Sequence, residues 1–330
     1  MNIQNIKKAA DIIKNGWVVA FPTETVYWLW ANIYNKDAVK RIFEIKQRAS
    51  DNPLIVHIDN INKLESLAIE IPEIAYKLAQ KFWPGPLTIV LKKKDSVINE
   101  ISAWSDTVAI RIPNNPIAIE LLRIADVPIA APSANLSWKP SPTQASHVKD
   151  DLWNKVDFIL DWWETNIGIE STVIDLTVFP RVILRPGWIS LEDIRNVVSD
   201  IILHPNLRWE TKENMVKSPG MKYRHYAPDT NLILFNHLAF NINSQIKEYK
   251  NKWKKVWVIA TLETQKNYNN VNKIFLLWSR KKMADISKNL FNILRDVDKH
   301  WLDIVFCESF EEKWIGLAIM DRLKKACEKK

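Results

Sequence analysis

Alternating helix and strand signals place this chain in the α/β class, and three observations carry that reading. Through the first two hundred residues, apolar stretches of helical period alternate with short runs of Val, Ile and Leu. The same alternation resumes after a polar, basic and aromatic stretch at 205–229, which reads as a linker. A length of 330 residues suits two domains. The expected organisation is an α/β unit at 1–204, the linker at 205–229, and a smaller α/β unit with a mainly parallel sheet at 230–330.

Each element has its own signal. An amphipathic helix at 3–15 leads into the strand "VVAFP", and "FPTETVYWLWA" reads as a strand end followed by a turn. A helix at 36–47 takes Asn35 as its N-cap. The strand "PLIVHI", two helical stretches over 60–82 and the strand "LTIVLKK" follow. Further strands read at "TVAIRI", "VPIAAP", "DFILD", "STVIDL" and "RVILRP". "SPTQASHV" reads as a helix start, with Ser141 capping, Pro142 at the first helical position and Gln144 completing a capping box. "SLEDIRNVV" closes the first unit with a short helix. In the second, "NLILF", "KVWVIA", "KIFLL" and "LDIVFCE" alternate with helices, the longest at 281–299.

Charged residues make up 25% and hydrophobic ones 47%, as in soluble globular proteins. No apolar run approaches the roughly 18 residues that a membrane helix needs. The opening "MNIQNIKKAADIIKNG" lacks a signal peptide's apolar core. Cys307 and Cys327 show no pairing or metal spacing, so a reducing cytoplasm is the expected setting. Residues 206–330 hold 24 Lys and Arg against 14 Asp and Glu. Such a basic half suits either nucleic acid or a solvated lysine-rich surface.

The abnormal numbers are 6 glycines and 16 tryptophans. Glycine normally supplies about 7% of residues, and the two counts together restore that share. Many of the tryptophans also stand beside turn formers: Trp17 in "KNGW", Trp138 in "LSWKPSP", Trp162 and Trp163 in "ILDWWET", and Trp188 in "RPGW". Trp28 and Trp30 fall where the chain is expected to turn out of its strand. These are places for glycine, because tight turns and close backbone approach exclude a large side chain. Trp83 in "KFWPGPLT" instead closes an apolar helix face and reads as a true tryptophan. The pattern is that of a gene whose UGA codons mean glycine, translated as if they meant tryptophan.

No Walker loop, GxSxG or HExxH motif occurs. Hydroxyls, cations and amides recur instead at strand ends: Lys46 and Arg48 with Asn52, Thr107 and Arg111 on one strand face, Ser133 and Asn135, Ser171 and Thr172, and Arg185. Such a set suits an anionic ligand of nucleotide type, in the crevice at the carboxyl ends of the strands. His57, closing "PLIVHI", reads equally as a core histidine or a ligand contact.

These residues lie in segments that resemble the long-form threonylcarbamoyl-AMP synthases: "PTETVYWLWA", "KQRASDNPLIVHI", "FWPGPLT", "DTVAIRIPNNP", "PIAAPSANLSWKPSPT", "IGIESTVIDL", "LRPG" and "SPGMKYRHYAP". The family pattern has glycine at Trp28, Trp30, Trp138, Trp162, Trp163 and Trp188 and keeps tryptophan at Trp83. The resemblance implies a YrdC-type twisted open sheet with a central cavity, followed by a Rossmann-like C-terminal domain. It implies synthesis of L-threonylcarbamoyladenylate and pyrophosphate from L-threonine, bicarbonate or carbon dioxide, and ATP carrying magnesium. A partner complex then transfers the group to an adenosine beside the tRNA anticodon. Matching motifs imply a threonine site of Thr25, His57, Arg111, Ala131 and Ser171. They imply an ATP site of Arg48, Asn52, Thr107, Ser133, Ser141, Arg185 and Tyr223, with Lys46 and Asn135 touching phosphate. Tyr223 belongs to the linker, which in this family folds over the cavity; its polar composition alone would also suit a tether. Were the tryptophans real, the chain would be an inactive homologue or an RNA-binding protein of YrdC type.

Overall fold

The computed structural model describes residues 3–208, 225–236, 242–268, 271–300 and 302–327. The chain opens with α1 (Ile3–Lys14), the hairpin β1 (Val19–Pro22) and β2 (Tyr27–Asn32), then α2 (Lys36–Lys46) and β3 (Ile55–His57). Next come α3 (Leu64–Leu67), β4 (Ala68–Ile69), α4 (Glu73–Phe82), β5 (Leu87–Lys93), α5 (Asn99–Ser102) and β6 (Thr107–Arg111). After α6 (Pro116–Ala125), β7 (Ile129–Ala131), α7 (Ala145–Leu152) and β8 (Phe158–Ile159) follow β9 (Thr172–Asp175), β10 (Arg181–Arg185), α8 (Leu191–Arg195) and β11 (Ile201–Leu203). The remaining elements are β12 (Asn231–Phe235), α9 (Ile242–Asn251), β13 (Val256–Ala260), β14 (Lys273–Leu276), α10 (Met283–Asp298), β15 (Ile304–Glu308) and α11 (Ile315–Ala326).

Two sheets result. The first has eleven strands in the order β11-β10-β9-β5-β6-β3-β7-β2-β1-β8, with β4 pairing β5. It is mixed: β3 runs parallel to β6 and β5 to β9, while β5 and β6 are antiparallel. The second has the order β12-β15-β13-β14, and every pairing in it is parallel. That matches the expectation of alternating strands and helices, which need crossovers between parallel neighbours.

Local chemistry explains most boundaries. Asn35 caps α2 by accepting from the Ala38 amide at 2.9 Å, and Gln47 ends it in the left-handed conformation at φ 51°. Ser190 and Asp193 form the capping box of α8. The helix start expected at Ser141 is corrected: α7 begins at Ala145 after Gln144, and the Ser141 hydroxyl donates instead to Glu170 at 2.5 Å. The carboxylate is the stronger acceptor, so tertiary contact overrides the local cap. The stretch 60–82 is not all helical either, because Ala68 and Ile69 pair with Lys93 and Lys92 to form β4.

Trp28 and Trp30 also depart from expectation. They lie within β2, where they pair with Phe21 and Val19, not in the turn, which is made by Thr23–Val26. Elsewhere the backbone demands glycine more directly. Trp104, Trp253, Trp278 and Trp314 have φ of 62°, 59°, 129° and 50°. Left-handed backbone is a rare outlier for bulky residues and routine for glycine. All four side chains are exposed, so no packing gain offsets the strain. Trp83 by contrast is buried and its indole donates to the Leu87 carbonyl at 2.6 Å, as a true core tryptophan does.

The two sheets share one apolar core, because α10 and α11 pack against loops of the larger one. Ser287 donates to the Ile167 carbonyl at 2.6 Å and Thr143 to Asn292 at 2.7 Å. Gly168, at φ 82°, lets the backbone of α10 approach: a Cβ there would stand 2.5 Å from the Lys288 Cα. Buried Arg295 pairs with buried Asp151 at 2.8 Å across the same interface.

Candidate active site

Strand order brings the threonine-site candidates together. His57 ends β3 and Arg111 ends β6, directly opposite each other in parallel register. Ala131 ends the neighbouring β7, and Thr25 stands in the β1–β2 turn. The Arg111 guanidinium is buried and donates to Glu24 at 2.6 Å, to Thr25 at 3.2 Å and to the Gly85 carbonyl at 3.1 Å. Ser171, just before β9, hydrogen-bonds Thr88 at 2.7 Å. Arg185, at the end of β10, donates to the Ser171 carbonyl at 2.9 Å. Gly187 permits this closeness: a Cβ there would come within 2.3 Å of the Thr172 nitrogen.

The phosphate-type candidates line one adjoining pocket, which Lys46, Arg48, Ser133, Asn135, Ser141 and Arg185 share. The Lys46 ammonium donates to the carbonyls of Ser133 and Asn135, and burial pushes its pKa well down, with Arg48 adding repulsion. Arg48 is held by Asn52, whose side-chain oxygen accepts at 2.6 Å, and by the Pro53 carbonyl at 2.8 Å. Asn52 therefore acts beside Arg48. Thr107 does not join them: it starts β6, about 13 Å along the strand from Arg111. Tyr223 lies outside the described residues.

Several groups at the site carried no separate signal in the sequence. Glu24 is the buried counter-ion of Arg111. Glu170 accepts from Ser141, lies beside Arg185, and pairs with Arg322 of α11 at 3.1 Å. Burial alone would raise its pKa, but Arg322 and Arg185 outweigh that and hold it below the usual carboxylate range. Arg322 is fully buried and also donates to the Pro186 carbonyl at 2.6 Å. Tyr226 packs against Arg322 and stacks on Phe291, while His225 sits 3.2 Å from the Ser137 carbonyl. The close of the linker thus lies on the loop that carries Ser133 to Ser141. Its "KYRHYAP" stretch hinted at this; nothing in the amphipathic α11 pointed to Arg322.

Trp28 and Trp30 fill the site. Both are buried, with their rings 5.1 and 5.6 Å from that of His57, and Trp28 lies 5.5 Å from the Arg111 guanidinium. The indole nitrogen of Trp30 and both nitrogens of His57 find no partner among the described residues. About 30 Å³ remains in the adjoining pocket, which Trp28 helps to line.

Buried histidines make this region acid-sensitive. Burial, reinforced by Arg48 and Lys325, pushes His225 down to about 3, and burial with Arg295 does the same for His147. Burial and Arg111 push His57 well down. Each takes up a proton below about 6.5 when unfolded but not when folded, so stability is lost as pH falls. Between pH 7 and pH 5 the loss is expected to reach about 2 kcal/mol each for His225 and His147. Urea unfolding at the two pH values measures it, and coincident midpoints would refute the assignment.

The family profile described as "Telomere recombination" matches residues 11–187, and that described as "Threonylcarbamoyl-AMP synthase, C-terminal domain" matches 189–327. The threonylcarbamoyl-AMP synthase of Pyrococcus abyssi is 47% identical, over 97% of this chain and 93% of its own length. That of Bacillus subtilis is 43% identical, over 98% and 93%. A crystal structure of P. abyssi Sua5 complexed with L-threonine superposes with a TM-score of 0.93 at 46% identity, covering 99% of this chain and 95% of that one. The mixed sheet bearing these cations and hydroxyls, the parallel unit behind it and the full-length likeness agree: the chain belongs to the threonylcarbamoyl-AMP synthase family, enzymes that form L-threonylcarbamoyladenylate for tRNA modification.

Proposed function

We propose that this chain binds L-threonine at Thr25, His57, Arg111, Ala131 and Ser171 and ATP at the adjoining cationic pocket. The observation that carries the reading is the convergence of Lys46, Arg48, Ser133, Asn135, Ser141 and Arg185 on one pocket beside Arg111 and Ser171. The threonine amine adds to carbon dioxide and loses a proton, giving a carbamate. A carbamate oxygen attacks the α-phosphorus, and pyrophosphate leaves with the bonding electrons. The protein's contribution is positioning and charge neutralisation. Arg111 takes the substrate carboxylate, and Arg48 and Arg185 take phosphoryl oxygens, the planar contacts that arginine suits.

No group of three or more His, Cys, Asp or Glu able to hold a metal occurs among the described residues. Magnesium is assigned to the triphosphate, where it would offset charge on the departing pyrophosphate. Residues 1–204 are assigned as the catalytic unit, 205–229 as the linker and 230–330 as the C-terminal unit; the end of the linker, at His225 and Tyr226, lines the pocket, where it would help shield the mixed anhydride from water. The product passes in the cytoplasm to a transfer complex acting on tRNA, with weak RNA contact through the basic second unit as a subsidiary role.

Activity requires glycine at positions 28 and 30. The glycine reading is supported by the left-handed backbone at Trp104, Trp253, Trp278 and Trp314 and by the indoles that crowd His57 and Arg111. Peptide masses of the protein isolated from its own cells are expected to show glycine at these six positions; tryptophan masses would end the idea.

With glycine at 28 and 30, the full chain is expected to release pyrophosphate from ATP only when threonine and bicarbonate are present. Arg48→Ala or Arg185→Ala should lower this at least about a hundredfold with the fold intact. Wild-type turnover in either variant would overturn the assignment. Arg322→Ala leaves Glu170 buried without its partner, so stability is expected to fall by about 3–5 kcal/mol. It should also raise the KM for ATP more than that for threonine, with partial recovery in Arg322→Lys. Equal effects on both substrates would refute a tie to the nucleotide pocket.

A further inference from the structure

The four-stranded sheet holds a cleft that this reaction does not use. β12 and β15 are parallel neighbours, so their carboxyl ends lie side by side. Their onward helices take opposite faces: Ile242 and Ile246 of α9 pack with Val256, Val258 and Phe306, whereas α11 packs with Ile259, Val305 and Cys307. That makes the β12–β15 boundary a topological switch point, where open α/β sheets bind ligands.

A cleft of about 620 Å³ opens there, bordered by Asn236 after β12, Ser309 and Phe310 after β15, and by Arg280, Glu311 and Lys313; the Trp314 ring also borders it, and glycine at that position would widen it. Its volume lies in the range of small-molecule sites, about 300–1,000 Å³. Arg280 is fixed before any ligand arrives. It donates to Glu308 at 2.7 Å and to the Ser309 carbonyl at 3.1 Å, and its guanidinium lies 4.6 Å from the centre of the Phe310 ring. The Arg280 Nε has no partner among the described residues.

Glu308 explains the rigidity. It is fully buried at the end of β15 and accepts from the Thr261 amide at 3.2 Å, the Thr261 hydroxyl at 3.0 Å, and the hydroxyls of Thr264 and Tyr268. Burying a carboxylate is costly, and one held by this many donors orients the arginine it carries. Lys313 is exposed and pairs with Glu311 at 2.5 Å, whereas Arg280 is held rigid by Glu308 and the Ser309 carbonyl, so its guanidinium is the preorganised contact. The amino end of α11, a twelve-residue helix, faces the same cleft through Ile315 and adds positive potential.

We infer that this cleft binds a phosphate-bearing small molecule of nucleotide size, its phosphoryl group on Arg280 and its apolar part against Phe310. Calorimetric titration of the full-length chain carrying glycine at 28 and 30 with AMP and with ATP is expected to reveal two sites. Arg185→Ala should weaken the first and spare the second. Arg280→Gln should weaken the second at least about tenfold and leave threonine-dependent pyrophosphate release unchanged. Lys313→Glu, on an exposed side chain at the rim, should weaken the second site severalfold. Inorganic phosphate is expected to compete there, and adenosine is not. One site per chain, a second site indifferent to both substitutions, or adenosine binding as well as AMP would overturn the proposal.

Discussion

One buried carboxylate ties the two halves of the molecule to one pocket. Glu170 accepts from Ser141, lies beside Arg185, and pairs with Arg322 from the far end of the chain. A buried carboxylate must be compensated by charge and hydrogen bonds, so these three groups cannot drift apart independently. The C-terminal unit is therefore part of the wall behind this pocket. Tyr226 sits in the same contact, between Arg322 and Phe291, and fixes where the linker ends.

The same economy of paired charge governs the side proposed for threonine. Arg111 is buried with Glu24, Thr25 and the Gly85 carbonyl as partners, so its guanidinium is aimed before a substrate arrives. Preorganised donors of this kind cost no reorganisation when charge arrives. The indoles at 28 and 30 contradict this arrangement, since they occupy the space that Arg111 and His57 border. The four tryptophans on left-handed backbone belong to the same pattern, and none of them lines the pocket. A single cause acting on codons accounts for both groups, whereas selection on structure would account for neither.

The comparison of expectation with structure turns on how far apart the interacting residues are in the chain. Asn35, the Ser190 capping box and the parallel second sheet were legible because each rests on neighbours a few residues away or on regular alternation. Ser141 misled because a cap and a buried hydroxyl use the same residue type, and only the fold supplies Glu170 as the rival acceptor. Trp28 and Trp30 were read as turn residues, yet the two-residue period of β2 places them on its inner face.

By itself the sequence determined the α/β alternation, the family and the residue types needed for an anionic substrate, because these follow from local periodicity and from short motifs. It also exposed the glycine deficit, which is a matter of counting. Only the tertiary structure decided which of those residues meet. It brought Glu24 to Arg111, Arg322 to Glu170 and Arg280 to Glu308, and it set Thr107 apart at the other strand end. Charges buried together must be matched in three dimensions, and no spacing along a chain records a partner 152 residues away.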